Sequence, residues 1–370
     1  MAYAGRVGMK FEAAAKAGAA AVLVIHEDAA ASYPFLQVAS GDAVPAFAPA
    51  PMAASSLQLT GWLRGDVAQG LLAGQRLTLE GLKRRARDSK FRAFALADAA
   101  LSADGAVKTA PVVSHNVIAR LPGTSRPDEA VLYGAHWDAN GTNGPDATGD
   151  AIRNGAIDNA TGTAELLEVA RAFAKAPRPA RTILFAAWTA EEKGLLGADY
   201  YAAHPLHPLA KTAAVINLDP HVALPAARNI ELVGGGRTML EEDLASVARA
   251  QGLRVDPEPN PEAGWYFRSD HFALARRGVP ALSFRGGRDL VQGGVRAGNA
   301  IVDPYNQLRY HQPNDAFDPQ WTFAGTAQEA SVAYAVGAQV AQSSQWPGWK
   351  AGNSYAPIRA ESDAERRVAD

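Results

Sequence analysis

Residues 131–192 contain two apolar runs separated by one amphipathic helix, and each run ends on polar side chains of the kinds that bind metals. The first run, Val131-Leu132-Tyr133-Gly134-Ala135, delivers His136-Trp137-Asp138. The second, Thr182-Ile183-Leu184-Phe185-Ala186-Ala187-Trp188, delivers Glu191-Glu192. Between them, Gly155-Ala156-Ile157-Asp158-Asn159-Ala160-Thr161-Gly162 opens a helix with an expected apolar face of Leu166, Leu167, Val169, Ala170 and Phe173. Short apolar runs alternating with helical patterns are the signature of buried parallel strands. In such sheets, ligands gather beyond the carboxyl ends of the strands.

The alternation continues through strands at Ala213–Leu218, Asn229–Val233 and Val279–Phe284 and helices at Leu195–Ala203, Met239–Gln251 and Gly325–Gln342. Upstream, Asn116–Leu121 is a strand, and the turn Pro122-Gly123-Thr124 should fold it into a hairpin with Ala130–Ala135. The expected fold is a three-layer α/β sandwich with a mixed, mostly parallel central sheet over residues 114–345. Residues 346–370 form a Pro-, Gly- and charge-rich tail expected to wind over the surface.

Residues 1–82 read as a separate small α/β module. It has a helix at Gly8–Ala17 stopped by Gly18, a strand at Ala19–His26 and a Pro-rich loop with short extended pieces at Ala29–Ser56. A strand or short helix at Leu57–Leu63 and a helix at Asp66–Leu72 closed by Gly74 complete it. Residues 83–113 connect the two parts. Their basic run Lys83–Lys90 reads as a solvated junction, and Phe91–Val107 alternates enough for strands around a turn at Ala103-Asp104-Gly105. The chain enters its first helix with no strand before it, an uncommon start for a domain, so the natural N-terminus is expected upstream of Met1.

The chain has 370 residues and no cysteine, so any metal must be held by His, Asp and Glu. A net charge of −2 gives no electrostatic reason to expect nucleic acid or an anionic membrane as partner. No apolar stretch has the length of a membrane span, and Met1–Arg6 does not open a signal peptide.

Each candidate ligand has two readings. His136 and Asp138 suit a metal ligand and the carboxylate that orients it, or a surface loop. Asp158 suits a bridging carboxylate or a helix N-cap. Adjacent carboxylates at Glu191-Glu192 repel unless cations lie near, so one would ligate and the other move protons; otherwise they are solvated. Asp219, past the strand end and before Pro220, needs a metal or a backbone N–H. His311, in Tyr310-His311-Gln312-Pro313-Asn314-Asp315, sits in a turn. Imidazole and oxygen donors without sulfur suit catalytic zinc, with cobalt or manganese as substitutes.

Taken in order, His-x-Asp, Gly-x-x-Asp-Asn-x-x-Gly, Glu-Glu, Asn-x-Asp and Tyr-His-x-x-x-Asp resemble the M28 family of zinc metallopeptidases over residues 114–345. Arg268-Ser269-Asp270-His271 and Gly278-Val279-Pro280-Ala281 add to the likeness. Residues 1 to about 75 resemble, more loosely, an N-terminally truncated protease-associated domain. The resemblance implies a zinc-peptidase/phosphorylase-like fold and two zinc ions, with His136 and Asp219 on one, Glu192 and His311 on the other, and Asp158 bridging. It assigns Glu191 as general base and Asp138 as the residue that orients His136. It places Tyr266, three residues before Ser269, where some relatives stabilise the tetrahedral intermediate. One departure is Ala139, where relatives often carry a further histidine.

The implied function is hydrolysis of peptides, most simply removal of N-terminal residues by an aminopeptidase, in a periplasmic or secreted setting. The alternatives are a glutamate carboxypeptidase-like exopeptidase, a glutaminyl cyclase-like transferase and a non-enzymatic binding module. An acidic substrate would call on Arg268, Arg285 or Arg288, whose plain reading is surface charge. Oligomeric state and side-chain preference do not follow from these residues.

Overall fold

The computed structural model describes residues 7–31, 33–42, 47–48, 57–106, 108–219 and 222–366. The chain divides into two compact units, residues 2–38 with 50–113 and a larger one made chiefly of 114–370.

In the smaller unit, strands β1 (Ala21–His26) and β2 (Leu59–Arg64) pair in parallel. The helix Val7–Lys16 precedes β1, and Gly65–Ala73 follows β2 and buries Ala68 and Leu72. Part of the expected loop Ala29–Ser56 is helical, at Asp28–Ala31 and Phe35–Asp42; Ser32, 43–46 and 49–56 lie outside the described residues. The basic run begins inside a further helix, Leu79–Arg85, capped by Thr78 and with Lys83, Arg84 and Arg85 in its last turn, where cations suit the helix dipole. Lys83 pairs with Glu27 and Glu80 at 3.0 and 2.9 Å. The strands expected in Phe91–Val107 are absent among described residues 91–106. No neighbouring strand pairs with this segment, and Phe91 and Phe94 lie instead against the Arg85 guanidinium at 5.7 and 5.2 Å.

The larger unit is built on a seven-stranded sheet. Its strands are β3 (Val117–Leu121), β4 (Arg126–His136), β7 (Arg181–Trp188), β8 (Thr212–Asn217), β9 (Asn229–Val233), β10 (Arg254–Pro257) and β11 (Ala281–Gly286). The short β5 (Gly141–Thr142) and β6 (Ile152–Arg153) form a separate ribbon. The sheet order is β10-β9-β11-β8-β4-β7-β3. Pairs β4–β7, β4–β8, β8–β11 and β9–β10 are parallel, while β3–β7 and β9–β11 are antiparallel.

The expected hairpin between β3 and β4 does not form, because β7 lies between them. The turn runs across the start of β7. Gly123 N donates to Thr182 Oγ1, Thr124 N to the Pro179 carbonyl and Arg126 N to the Ala180 carbonyl. A Cβ on Gly123 would stand 2.3 Å from the Ala180 oxygen, so glycine makes this crossing passable.

Side chains alternate across the sheet. Val131, Tyr133, Ala135, Ile183 and Phe185 join Leu166, Val169 and Phe173 of the helix Ala160–Lys175 in the main core, together with the helices Leu240–Ala250 and Ala324–Gln342. Leu167 turns outward instead, 66% exposed. On the alternate side of β7, Trp188 packs on Tyr201 of the helix Leu196–Ala203, which meets the short helix His271–Ala275. The result is the expected three-layer α/β sandwich. Strand β10 and the helix Gly294–Pro304 were not among the expected elements.

The described tail residues, 346–366, pack onto the larger unit. Arg359 and Arg366 are buried; Arg359 donates to the carbonyls of Leu209 and Thr212, and Trp349 Nε1 to that of Gly278. Satisfying strand-end carbonyls with guanidinium donors is what secures this otherwise polar segment. Among the described residues, no helix is long and apolar enough to cross a membrane.

Candidate metal centre

Strands β7, β4 and β8 are adjacent and parallel, so their carboxyl ends open on the same side. His136 is the last residue of β4, Glu191 and Glu192 follow β7, and Asp219 follows β8. Asp158 comes from the turn before the helix Ala160–Lys175. Gly155 opens that turn at φ +62°, and an added Cβ would stand 2.3 Å from the Asp158 carbonyl oxygen. Asp158 does not cap the helix. Asn159 does, accepting from Gly162 N while its amide donates to the Leu218 carbonyl at 2.9 Å. The cap thus also ties the helix start to the end of β8, and the Asp158 carboxylate is left for other partners.

Those partners are two imidazoles. Asp158 Oδ1 lies 3.1 Å from His136 Nε2, and Asp158 Oδ2 lies 3.2 Å from His311 Nε2. Asp219 Oδ1 stands 3.4 Å from His136 Nε2, and Glu192 Oε2 stands 3.1 Å from His311 Nε2. Two triads result, His136-Asp158-Asp219 and Asp158-Glu192-His311, each with ligand atoms within 4.8 Å of one another and one carboxylate in common. Glu191 belongs to neither triad, and its Oε2 is 3.9 Å from His136 Nε2. The five residues expected as ligands are therefore brought together, with the expected base beside them.

The electrostatics fit a cation. Among the described residues, the ion-pair partners of Asp158, Glu191, Glu192 and Asp219 are these two imidazoles. Burial works against a charged His136, yet Asp219, Glu191 and Asp158 push its imidazole well above the ordinary range. Burial likewise opposes His311 ionisation, but Glu192 and Asp158 push it up to about 10. Burial would raise Asp158; its bonds to His136 and His311 instead hold it well below the usual carboxylate range. Burial, with the charges of Asp219, Glu192 and Asp270, lifts Glu191 well above that range against the pull of His136. Two donor sets of three nitrogen and oxygen ligands fit zinc in a catalytic setting.

The surroundings correct two expectations. His136 Nδ1 donates to the backbone carbonyl of Asp138 at 3.0 Å, while the Asp138 carboxylate is 3.7 Å away. That carboxylate accepts the amides of Glu191 and Glu192 at 3.0 and 3.3 Å. Asp138 thus sets the His136 ring through its main chain and the two glutamates through its side chain. Tyr266 is not in the site. It is buried, donates to the Ala281 carbonyl at 3.3 Å and lines a different cavity of about 410 Å³ with Leu232, Arg237 and Glu258.

The tyrosine beside the triads is Tyr310, stacked on His311 at 3.8 Å. It lines the cleft with Asp158, Glu191, Asp219, Trp265, Arg268 and Arg285. Its place next to a ligand histidine was the available sequence signal. Arg268 donates to the Tyr310 hydroxyl at 3.1 Å and lies over Trp265 at 4.1 Å. Arg285 is held by Glu231 at 3.1 Å, and Arg288 pairs with Asp303 at 2.8 Å. Ser269 bridges Asn217 and Asp219, accepting from the first and donating to the second. Asp315 accepts the amides of Ile157 and Asp158, and burial and the Asp158 charge, against those two bonds, push it up to about 6.

Comparison with known proteins finds zinc metalloproteases and an aminopeptidase. A probable zinc metalloprotease of Pyrenophora teres f. teres is 44% identical over 109 residues, 30% of this chain and 23% of that protein. A probable zinc metalloprotease of Leptosphaeria maculans is 34% identical over 217 residues, 57% of this chain and 49% of the relative. The matches thus span about a quarter to a half of these relatives' length. Among solved structures, an aminopeptidase from Aneurinibacillus sp. strain AM-1 shares the fold, with a TM-score of 0.52 and 20% identity, over 92% of this chain and 68% of that one. The pattern of peptidase family M28 matches residues 116–335, a span that holds every strand and loop of the metal centre, and the chain belongs to that family.

Proposed function

We propose that the chain is a two-zinc aminopeptidase. The observation that carries this reading is the split of one carboxylate between two imidazoles, Asp158 Oδ1 toward His136 and Oδ2 toward His311. His136 and Asp219 would hold one ion, Glu192 and His311 the other, and Asp158 both. Zinc bound there supplies Lewis acidity toward a peptide carbonyl and lowers the pKa of water.

The chain supplies the rest. Glu191 stands outside both triads, its side chain 10% exposed, with a carboxyl that burial pushes well above the usual range. It accepts a proton from the attacking water and returns it to the leaving amine. Arg268 donates to the Tyr310 hydroxyl, which polarises that O–H toward an oxygen gaining charge in the cleft. Asp158, Glu191 and Asp219 line the cleft at the end where the metal would be held. A metal held at that end would offer a position to the free α-amine of a peptide, which favours removal of N-terminal residues. The same cleft is lined by Arg268 and Arg285, and this supports a second reading, a preference for acidic substrates or a carboxypeptidase.

The test is a panel of aminoacyl-anilides, N-terminal glutamine peptides and peptides ending in glutamate, each with and without chelator. Chelator-sensitive release of N-terminal residues is expected. Release only of C-terminal glutamate, or only of pyroglutamate, overturns the aminopeptidase reading. Replacing Glu191 by Gln should leave zinc content intact and slow turnover by about 10³-fold. Near-normal turnover would remove Glu191 as the base.

A further inference from the structure

We propose that Asp315 is a positioning residue: it latches the loop carrying His311 to the turn carrying Asp158, so that the shared carboxylate and the second imidazole are set as one unit before a metal binds. The inference rests on the two-metal reading above and concerns how the chain prepares that site.

Asp315 lies four residues after His311 and is 1% exposed. It takes three consecutive amides of the turn. Ala156 N donates to its backbone carbonyl at 3.0 Å, Ile157 N to Oδ1 at 3.0 Å and Asp158 N to Oδ2 at 3.1 Å. The Tyr305 hydroxyl donates to Oδ2 at 3.4 Å. Its own amide closes back on the Gln312 carbonyl at 3.0 Å, which keeps the loop short and stiff. Arg309 braces the loop, Nε to the Asn314 carbonyl and Nη2 to the Ala316 carbonyl, both at 2.9 Å.

The placement is electrostatically costly. A buried carboxylate beside the Asp158 carboxylate is repelled by it, and an apolar residue would avoid that cost. What an apolar residue cannot do is fix the direction of two neighbouring backbone amides at once, and that direction aims Asp158. The Asp138 carboxylate does the same for Glu191 and Glu192. The strand end bearing His136 and the loop bearing His311 are thus each followed by an aspartate that holds backbone amides of a carboxylate-bearing segment.

The experiment measures zinc binding to the full chain by chelator competition, in wild type and in Asp315→Asn, together with hydrogen exchange of the zinc-free forms. An asparagine offers one acceptor where two amides need two. In Asp315→Asn one zinc should bind as in wild type and the other about 10–100-fold more weakly. Excess zinc should restore kcat with KM unchanged, which general damage to the fold would not allow. In zinc-free wild type the amides of 156–158 should exchange slowly, and in Asp315→Asn rapidly. A folded Asp315→Asn that binds both zinc ions with wild-type affinity overturns the proposal. So does open-chain exchange at 156–158 in zinc-free wild type, a result that stands even where the variant fails to fold. A wild-type chain that binds no zinc removes the two-metal reading, while slow exchange at 156–158 would still uphold the latch.

Discussion

The two triads share Asp158 but are held in different ways. His136 ends β4 and Asp219 lies just past β8, two strands joined by a parallel ladder, and the His136 side chain is wholly buried. Glu192 and His311 come from loops. Ala190 and Leu195 flank the glutamates at φ +54° and +65°, and His311 itself sits at φ +60° with its side chain 21% exposed. Left-handed backbone at three non-glycine residues costs energy that the surroundings must offset. The first triad is positioned by the sheet; the second is positioned by carboxylates that accept loop amides.

That contrast can be tested in descending order of effect. Replacing Asp158 by Ala removes the residue common to both triads. Both zinc ions should be lost on dialysis and activity should fall by more than about 10⁴-fold, as for loss of a whole metal site; one tightly held ion would show that the carboxylate is not shared. Next, His136→Ala strips the buried Asp158 and Asp219 of a partner. It should destabilise the zinc-free fold by about 3 kcal/mol, against about 1 kcal/mol for the more exposed His311→Ala. Urea unfolding of the zinc-free proteins measures both, and equal losses would erase the distinction between sheet-held and loop-held ligands.

Asp138→Asn should be milder, because it keeps the carbonyl that meets His136 and loses one of two acceptors for the glutamate amides. Turnover should slow by about 10–100-fold while stability stays close to wild type. A drop in affinity for the His136-side zinc alone would return Asp138 to the simpler role of orienting that ring. The smallest effect belongs to Tyr305→Phe, which removes one long bond to Asp315 and should cost about 0.5 kcal/mol. A loss as large as that of Asp315→Asn would mean the tyrosine, not the aspartate, holds the loop.

Much of the site was legible because its residues sit where local rules are strongest. A short apolar run must be buried, a strand must end, and the next polar residue then lies at the rim. His136, Glu191, Glu192 and Asp219 were found this way. Asp158 was ambiguous with a cap until Asn159 was seen to do the capping. Tyr266 was misplaced because nearness in sequence to Ser269 says nothing about which way a ring turns. It went to the Ala281 carbonyl, and Tyr310 took the cleft. The alternation in Phe91–Val107 suggested strands, but a strand needs an edge to pair with, and periodicity does not supply one.

By itself, the sequence determined an α/β sheet, the strand ends that carry ligands and an oxygen–nitrogen donor set without sulfur, because these follow from hydrophobic period and residue chemistry. Only the tertiary structure decided that β7 separates β3 from β4, that Asp138 and Asp315 hold backbone amides, and that one carboxylate faces two imidazoles. These are contacts between residues far apart in the chain. Their geometry depends on how the loops close over the sheet, a property that no local pattern encodes.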